Sequence, residues 1–440
     1  MISTIKNKFT SDLHLKEIMN GASSNFIIQI FGILLGYLVV FVISHFYGVK
    51  GLGIFTLSFA VVNIFILLGK GGLDTSIVKF ISENIDSKQI NIKELYLLII
   101  KLSVPINLIL ILIMFVFSPY IAHNIFDNPN LTPYFQLMSL VILPISLRSI
   151  NANALRGLKK IKIYSLLQNV FIHLFFIMGI FLVNVFTNTI EYLILSYVFS
   201  SWLVFTISST SWYKNMKKLT TGTTKSGIKN ILKVSIPMLL TSSLMLVITW
   251  TDSIMLGIFC SEIEVGLYSI AMKIATSSLI ILMAFSSILA PKIAQAYGNN
   301  DLILLRSLIQ KTNKLIITIS LPTIVILITI TPYLLSFFGE EFKVAYSTFL
   351  ILMVGMIWKV FFGVSEFILQ MTNNQRSVAV FSFIGVIINI ILNLVLIPRY
   401  GIDGAASASI VSIIMMNLLF YFRMYSTFHI HIFFNKNNQL

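Results

Sequence analysis

The chain has 440 residues, of which 57% are hydrophobic and 11% charged, with a mean hydropathy of +0.92. No soluble core absorbs that much apolar side chain, so the composition is that of a polytopic membrane protein and excludes a string of soluble domains. The formal charge is +15, from 31 Lys and Arg against 16 Asp and Glu, which taken alone fits nucleic acid, anionic lipid or a topology bias.

In chain order, a polar segment from Met1 to Asn20 precedes an apolar run from Phe26 to Phe46. That run exceeds the ~7–15 residues of a signal-peptide core, so it reads as a retained first span. Between Glu17 and Lys50 there is no Asp, Glu, Lys or Arg. Further runs at about 52–80, 95–117, 134–155, 163–185 and 190–212 complete a first set. A second set covers about 233–259, 266–290, 312–335, 345–370, 377–397 and 402–424. Each satisfies the roughly 20 apolar residues that a crossing needs, which predicts an all-α chain of about 12 transmembrane helices. Pro105, Pro144, Pro237 and Pro322 fall in or beside these spans, where neighbouring helices can satisfy the freed carbonyls.

With twelve spans the connections alternate sides. One side then holds 24 of the basic residues and the other only Lys50, Lys343 and Arg399, while Lys101, Arg148, Lys273 and Lys359 lie within spans. The bias places both termini in the cytoplasm. It also assigns most of the +15 to topology, which leaves a nucleic-acid partner unsupported. The opposite loops are short, so no extracellular domain is expected.

A repeat divides the chain. Gly53, Ile54 and Phe55 match Gly266, Leu267 and Tyr268; Ile190 and Glu191 match Ile402 and Asp403; and Lys79 and Lys162 pair with Lys292 and Arg376, all at an offset near 213 residues. Six spans per half make the repeat parallel, a transporter arrangement with its site expected around a central cavity. The expected division is a six-helix bundle over 1–212, a cytoplasmic linker over 213–233 containing Thr220, Thr221, Gly222, Thr223 and Thr224, and a second six-helix bundle over 234–440.

These features carry a resemblance. Tyr47, Gly48, Gly51, Leu52, Gly53, Ile54 and Phe55, then Gly72, Leu73, Lys79 and Glu83, form one motif. Leu155 to Lys159 form another, and Ile397, Pro398, Tyr400, Gly401, Ile402, Gly404, Ala405 and Ala406 a third. Together they resemble the Wzx-type polysaccharide flippases of the multidrug/oligosaccharidyl-lipid/polysaccharide exporter superfamily, over essentially the whole chain. The resemblance implies flipping of undecaprenyl-diphosphate-linked oligosaccharide repeat units across the bacterial inner membrane by alternating access, for O-antigen, capsule or exopolysaccharide synthesis. It also implies membrane lipids, a polysaccharide polymerase and a chain-length regulator as partners, and no enzymatic activity. The motifs are packing patterns and identify the superfamily rather than the cargo.

A diphosphate crossing hydrocarbon needs a wet chamber and cations. Arg148, near Asn151 and Asn153, and the mid-span Lys273 and Lys359 are therefore candidate diphosphate or glycan ligands. A mid-span charge costs roughly 3 kcal/mol or more. The competing readings are an Arg148 snorkelling to the cytoplasmic surface, since Arg156 is only two turns further on, and structural ion pairs for the two lysines. Lys101, at the edge of its span, reads as snorkelling. Asp252 and Glu366 are candidates for coupling to a proton or sodium ion, or plain counter-ions. Glu366 follows Lys359 by seven residues, which puts both on one face of the tenth helix two turns apart.

No metal or cofactor set is read: His45, His123 and His173 have no partner at ligand spacing, and Cys260 is a lone cysteine. Gly32 and Gly36 read as close packing within the bundle, and Gly69, Lys70, Gly71 and Gly72 as a break near the end of the second span. Two other functions stay open: a multidrug cation exporter, and a membrane polymerase or glycosyltransferase using exterior acids such as the adjacent Glu340 and Glu341.

Overall fold

A computed structural model describes residues 13–84, 91–185, 189–217 and 227–432, and among these residues there are helices and turns but no strand. In chain order the α-helices are α1 (Leu13–Lys70), α2 (Leu73–Asn84), α3 (Ile92–Tyr120), α4 (Thr132–Ser139), α5 (Ile142–Gly157), α6 (Ile161–Ser165), α7 (Phe171–Asn184) and α8 (Ile190–Met216). They continue as α9 (Ile228–Phe259), α10 (Glu262–Ser277), α11 (Ile280–Gly298), α12 (Leu302–Phe338), α13 (Tyr346–Phe362), α14 (Val364–Met371) and α15 (Gln375–Phe428).

Two of these are too long to be single crossings. At 1.5 Å per residue, a helix of 58 residues such as α1 would run for roughly 87 Å, about three hydrocarbon thicknesses. Both long helices are interrupted by a glycine in the left-handed region, Gly48 (φ 66°) in α1 and Gly401 (φ 54°) in α15. A residue with a Cβ adopts that conformation only at a cost. Eight helical stretches among the described residues are long and apolar enough to cross a membrane, and two further bent pairs bring the number to 10. Splitting each long helix at its glycine yields the expected twelve.

Polar residues set the helix starts. Asn91 accepts from the backbone of Lys93 and Glu94 at the head of α3. Ser261 and Glu264 form a reciprocal capping box on α10, and Asp301 accepts from Leu304 N at 2.8 Å on α12. Several expected spans are broken inside. The fourth divides at Leu140–Val141, the eighth bends by 46° between Ser277 and Ile280, and the tenth breaks at Gly363.

By internal packing the chain forms two compact units, Met1–Gly51 with Ser58–Leu246, and Leu52–Leu57 with Val247–Leu440. The border at Leu246 falls within α9. Of the linker expected over 213–233, residues 218–226, with Thr220 to Thr224, lie outside the described residues.

In the first unit the stretch carrying α4 and α5 is the most enclosed: 78% of its apolar window is buried, against 22% for the stretch that carries α3. The central helix is therefore α5, packed on α2 and α8, with Ile150, Ala152, Ala154 and Leu155 fully buried. On α3, Leu108, Ile109, Leu112 and Val116 are exposed, a surface suited to lipid. Gly32 lies against Asn169, which a Cβ would approach to 2.7 Å, so this small residue serves packing inside the unit. In the second unit α13 packs on α15, where Gly355 lets Ile410 come close.

Candidate functional site

Each unit encloses a polar cluster among apolar helices. The first lies where α1 ends and α2 begins. Gly71 and Gly72 both take positive φ, 53° and 71°, which breaks the helix where the sequence predicts it. Gly72 is further constrained by close approach: a Cβ there would fall 2.8 Å from Leu239 N and against the Ser235 carbonyl. The freed Gly69 carbonyl accepts from Asn107 Nδ2 at 3.1 Å, and Ser235 Oγ donates to Ser76 Oγ at 2.9 Å. These bonds pin the break between α3 and α9.

The break presents Lys70 and Asp74 to a cavity of about 190 Å³ that Asn63 and Ser242 also line. Asp74 is held by neutral donors, Thr75 N at 2.9 Å and Ser149 Oγ at 2.9 Å. Next to Ser149 on α5 is Arg148, only 8% exposed, with Nε and Nη1 buried and without a hydrogen-bond partner. Lys70 stands in electrostatic range of both Arg148 and Asp74. Arg148 is thus enclosed in the unit rather than drawn out to a surface, while Arg156 is exposed over the Tyr164 ring at 5.2 Å. The expected neighbours of Arg148 are committed elsewhere. Asn151 accepts from Tyr96 OH at 2.8 Å and donates to Ser208 and Ser209, and Asn153 donates to the Ser149 carbonyl on its own helix.

The second cluster is built on Asp252 of α9, 6% exposed. Its carboxylate accepts from Tyr268 OH at 2.5 Å, Asn393 Nδ2 at 2.7 Å and Asn389 Nδ2 at 3.1 Å, and from the Ser409 hydroxyl. The donors come from α10 and from both arms of α15 around Gly401, and all four are neutral. Asn393 Oδ1 is buried without a partner. A phenol, two amide nitrogens and a hydroxyl thus hydrogen-bond the two carboxylate oxygens, which accommodates a buried carboxylate with neutral partners. The counter-ion reading of Asp252 finds no ion pair among the described residues.

The other candidates are more dispersed. Lys273 on α10 and Lys359 on α13 are half-buried. The continuous face expected for Lys359 and Glu366 is interrupted by the Gly363 break, and Glu366 accepts instead from Gln370 Nε2 at 3.1 Å. Lys101 is exposed. His45 is exposed and stacked on Phe41, and His173 bonds to the Asn169 carbonyl.

Sequence reasoning missed Lys70, which it counted with the cytoplasmic basic residues, Asp74, which it did not single out, and the partners of Asp252. A lysine flanked by three glycines at the end of a span was the signal for the first. Two asparagines four residues apart in an otherwise apolar run were the signal for the last.

A family model described as polysaccharide biosynthesis protein matches residues 18–297, and a second, MatE, matches residues 237–395. The chain is similar to the probable low-salt glycan biosynthesis flippase Agl15 of Haloferax volcanii, with 28% identity over 39% of this chain and 36% of that protein. The match therefore spans about a third of that relative's length. Among solved structures, the chain is similar to the lipid II flippase MurJ in an inward closed conformation, with a TM-score of 0.73 and 19% identity over 92% of this chain and 87% of that one. It is also similar to an inward-facing multidrug resistance MATE family transporter of the MOP superfamily, with a TM-score of 0.76 and 14% identity over 92% and 98%. At these identities the structural likeness establishes the fold.

Proposed function

We propose that this chain, which belongs to the polysaccharide biosynthesis protein family and has the fold of the MOP superfamily transporters, flips lipid-linked glycans across its membrane. The observation that carries the reading is Arg148: a guanidinium buried in a membrane span, with two nitrogens lacking partners, calls for an anion. The diphosphate of a lipid-linked sugar supplies one. The name of Agl15 supports the cargo class, and the family description supports its use in polysaccharide synthesis.

In detail, the cargo is an undecaprenyl-diphosphate-linked oligosaccharide repeat unit, carried from the cytoplasmic to the outer leaflet of a bacterial inner membrane. Both termini are cytoplasmic, and the product feeds O-antigen, capsule or exopolysaccharide assembly beside a polymerase and a chain-length regulator. Arg148 in the first unit, and Lys273 and Lys359 in the second, engage the diphosphate during alternating access. Asp252 takes up a proton or sodium ion that couples the cycle to a gradient, as in an antiporter, and Glu366 is a secondary coupling candidate. The process is transport and not covalent chemistry; of the two adjacent exterior acids of the enzyme reading, Glu340 and Glu341, the first is paired with Lys343 at 2.5 Å.

The test is a deletion host complemented with Arg148→Gln, Lys273→Gln or Lys359→Gln. Surface glycan should disappear while the protein stays at normal level in the membrane. Full surface glycan in all three would remove the reading.

A second reading, a multidrug cation exporter, is favoured by one observation: the MatE match covers Asp252 and both of its asparagines. Raised resistance to cationic drugs on overexpression, with glycan export unaffected by deletion, would select it.

A further inference from the structure

We infer that the turn between α5 and α6, together with the end of α8, is a binding surface for the anionic phospholipid headgroups of the surrounding bilayer. Arg156, Lys159, Lys160 and Lys162 follow one another closely, and the stretch 156–165 holds no acid. All four are exposed. The turn cannot reach away from the membrane, because one candidate span ends at Gly157 and the next begins at Ile161. Its basic side chains therefore stand at headgroup height, beside an Ile161 that is 42% exposed. Basic and apolar groups exposed at one level match a bilayer interface. A nucleic acid or a protein partner would need a surface that stands clear of it.

The local geometry holds these charges in place. Lys159 takes a positive φ of 60°, and Lys159 N and Lys160 N donate to the Arg156 and Leu155 carbonyls, both at 2.9 Å, closing the end of α5. Gly157 seats the turn on α2, where a Cβ would meet Ile81 at 2.9 Å. A glycine fits the left-handed position at less cost than a lysine, so the charge at Lys159 stands against the local backbone preference. Arg156 lies over the Tyr164 ring at 5.2 Å. The same pairing recurs at the end of α8, where Lys217 Nζ is 4.6 Å from the centre of the Tyr213 ring and Lys214 is exposed. Since α8 packs on α5 and the span Ile161–Asn184 between them returns the chain, both pairs lie at one end of the first unit. Tyrosine is enriched at headgroup depth because its ring is amphipathic, and here it holds a cation at that depth twice.

Charge also separates along the unit. At this end Arg156, Lys159, Lys160, Lys162, Lys214 and Lys217 outnumber the exposed acids Glu83 and Glu94. The stretches 118–147 and 184–213, which contain the opposite end, hold no Lys or Arg and carry Asp127 and Glu191. An anionic leaflet thus meets a cationic end. The guanidinium can take a headgroup phosphate bidentately, and the lysines act on it as point charges.

The experiment offers the full chain, purified in detergent, equal amounts of phosphatidylglycerol and phosphatidylcholine, and counts retained lipid by native mass spectrometry beside a thermal melt. The wild-type chain should retain phosphatidylglycerol in preference and melt higher in its presence. Lys159→Gly, which relieves the backbone while removing the charge, should melt no lower than the wild type in phosphatidylcholine and lose part of the preference. Lys159→Gln, Lys160→Gln and Lys162→Gln combined should reduce the preference by about tenfold. Lys292→Gln, Lys311→Gln and Lys314→Gln combined, exposed on α11 and α12, should retain it although the net charge falls equally. Tyr164→Phe, which keeps the ring, should match the wild type, and Tyr164→Leu should weaken retention. Undiminished preference in the turn variant, or an equal loss in the α11 and α12 variant, would overturn the surface. Displacement of phosphatidylglycerol by inorganic phosphate, and not by sodium chloride at matched ionic strength, would assign the turn to free anions and overturn the lipid as occupant. Glycan export enters none of these readouts, so the surface and the flippase reading stand or fall separately.

Discussion

Ser149 donates its hydroxyl to Asp74 across 2.9 Å, and the residue before it is Arg148, whose Nε and Nη1 have no partner. The acid is thus occupied by neutral donors, and two nitrogens of the buried arginine keep their capacity for an external anion. Charge-assisted hydrogen bonds contribute roughly 1.5–3 kcal/mol, equivalent to about a ten- to hundredfold effect. Glycan export by Arg148→Gln should therefore fall by at least tenfold. Arg148→Lys should recover part of it, since the charge returns without the planar fork. Quantified surface glycan at matched protein level checks this; equal export by all three chains would refute it.

Asp252 predicts a different signature. Asp252→Asn keeps the shape and most of the hydrogen-bond network but removes the charge that a proton or sodium ion would neutralise. Transport by the wild-type chain in proteoliposomes should rise when a sodium or proton gradient is imposed, and transport by Asp252→Asn should not respond to it. Asn393→Leu, which removes one donor at 2.7 Å and an unpartnered oxygen, should raise the cation concentration needed for half-maximal stimulation. A gradient response that survives in Asp252→Asn would exclude Asp252 from coupling.

Gly72 is a structural prediction. Its φ of 71° and the proximity of Leu239 N leave no room for a Cβ, so Gly72→Ala should destabilise the first unit by about 1–3 kcal/mol. The melting temperature in detergent should fall by several degrees. An unchanged melt would mean that the backbone can relax around this break.

Cys260 lies between α9 and α10, and its burial together with the Glu264 carboxylate pushes the thiol up to about 11. The reactive form is the thiolate, so at pH 8 the folded chain should react with maleimide far more slowly than the unfolded chain, whose thiol titrates near ~8.5. The sign follows from linkage: a thiol kept neutral in the folded state costs no stability below the unfolded value and destabilises the fold as pH rises above it. Glu264→Gln should accelerate labelling. As the chain has a single cysteine, the readout is unambiguous, and equal rates for folded and unfolded chains would contradict the assignment.

The number and order of the spans were legible because hydrocarbon imposes a length and a composition that few other segments satisfy. Arg148 and Asp252 were legible for the same reason: a charge inside such a run is expensive enough to stand out. What stayed hidden depends on three-dimensional closure. Lys70 sits at the end of its span, where a lysine is ordinary, and only the Gly71–Gly72 break shows that it faces a cavity. Asn389, Asn393, Tyr268 and Ser409 are neutral, so the charge criterion passed over them although they hold Asp252 in place. The predicted common face of Lys359 and Glu366 assumed one continuous helix, and the Gly363 break removed that premise.

The most direct test of the central claim is flipping of a fluorescent polyprenyl-diphosphate-linked disaccharide by the purified chain in proteoliposomes, read by the fraction that an impermeant quencher reaches over time. The wild-type chain should equilibrate the two leaflets, and Arg148→Gln should approach the rate of empty vesicles. If the wild-type chain leaves the lipid in its starting leaflet, or Arg148→Gln moves it as fast, the account is wrong.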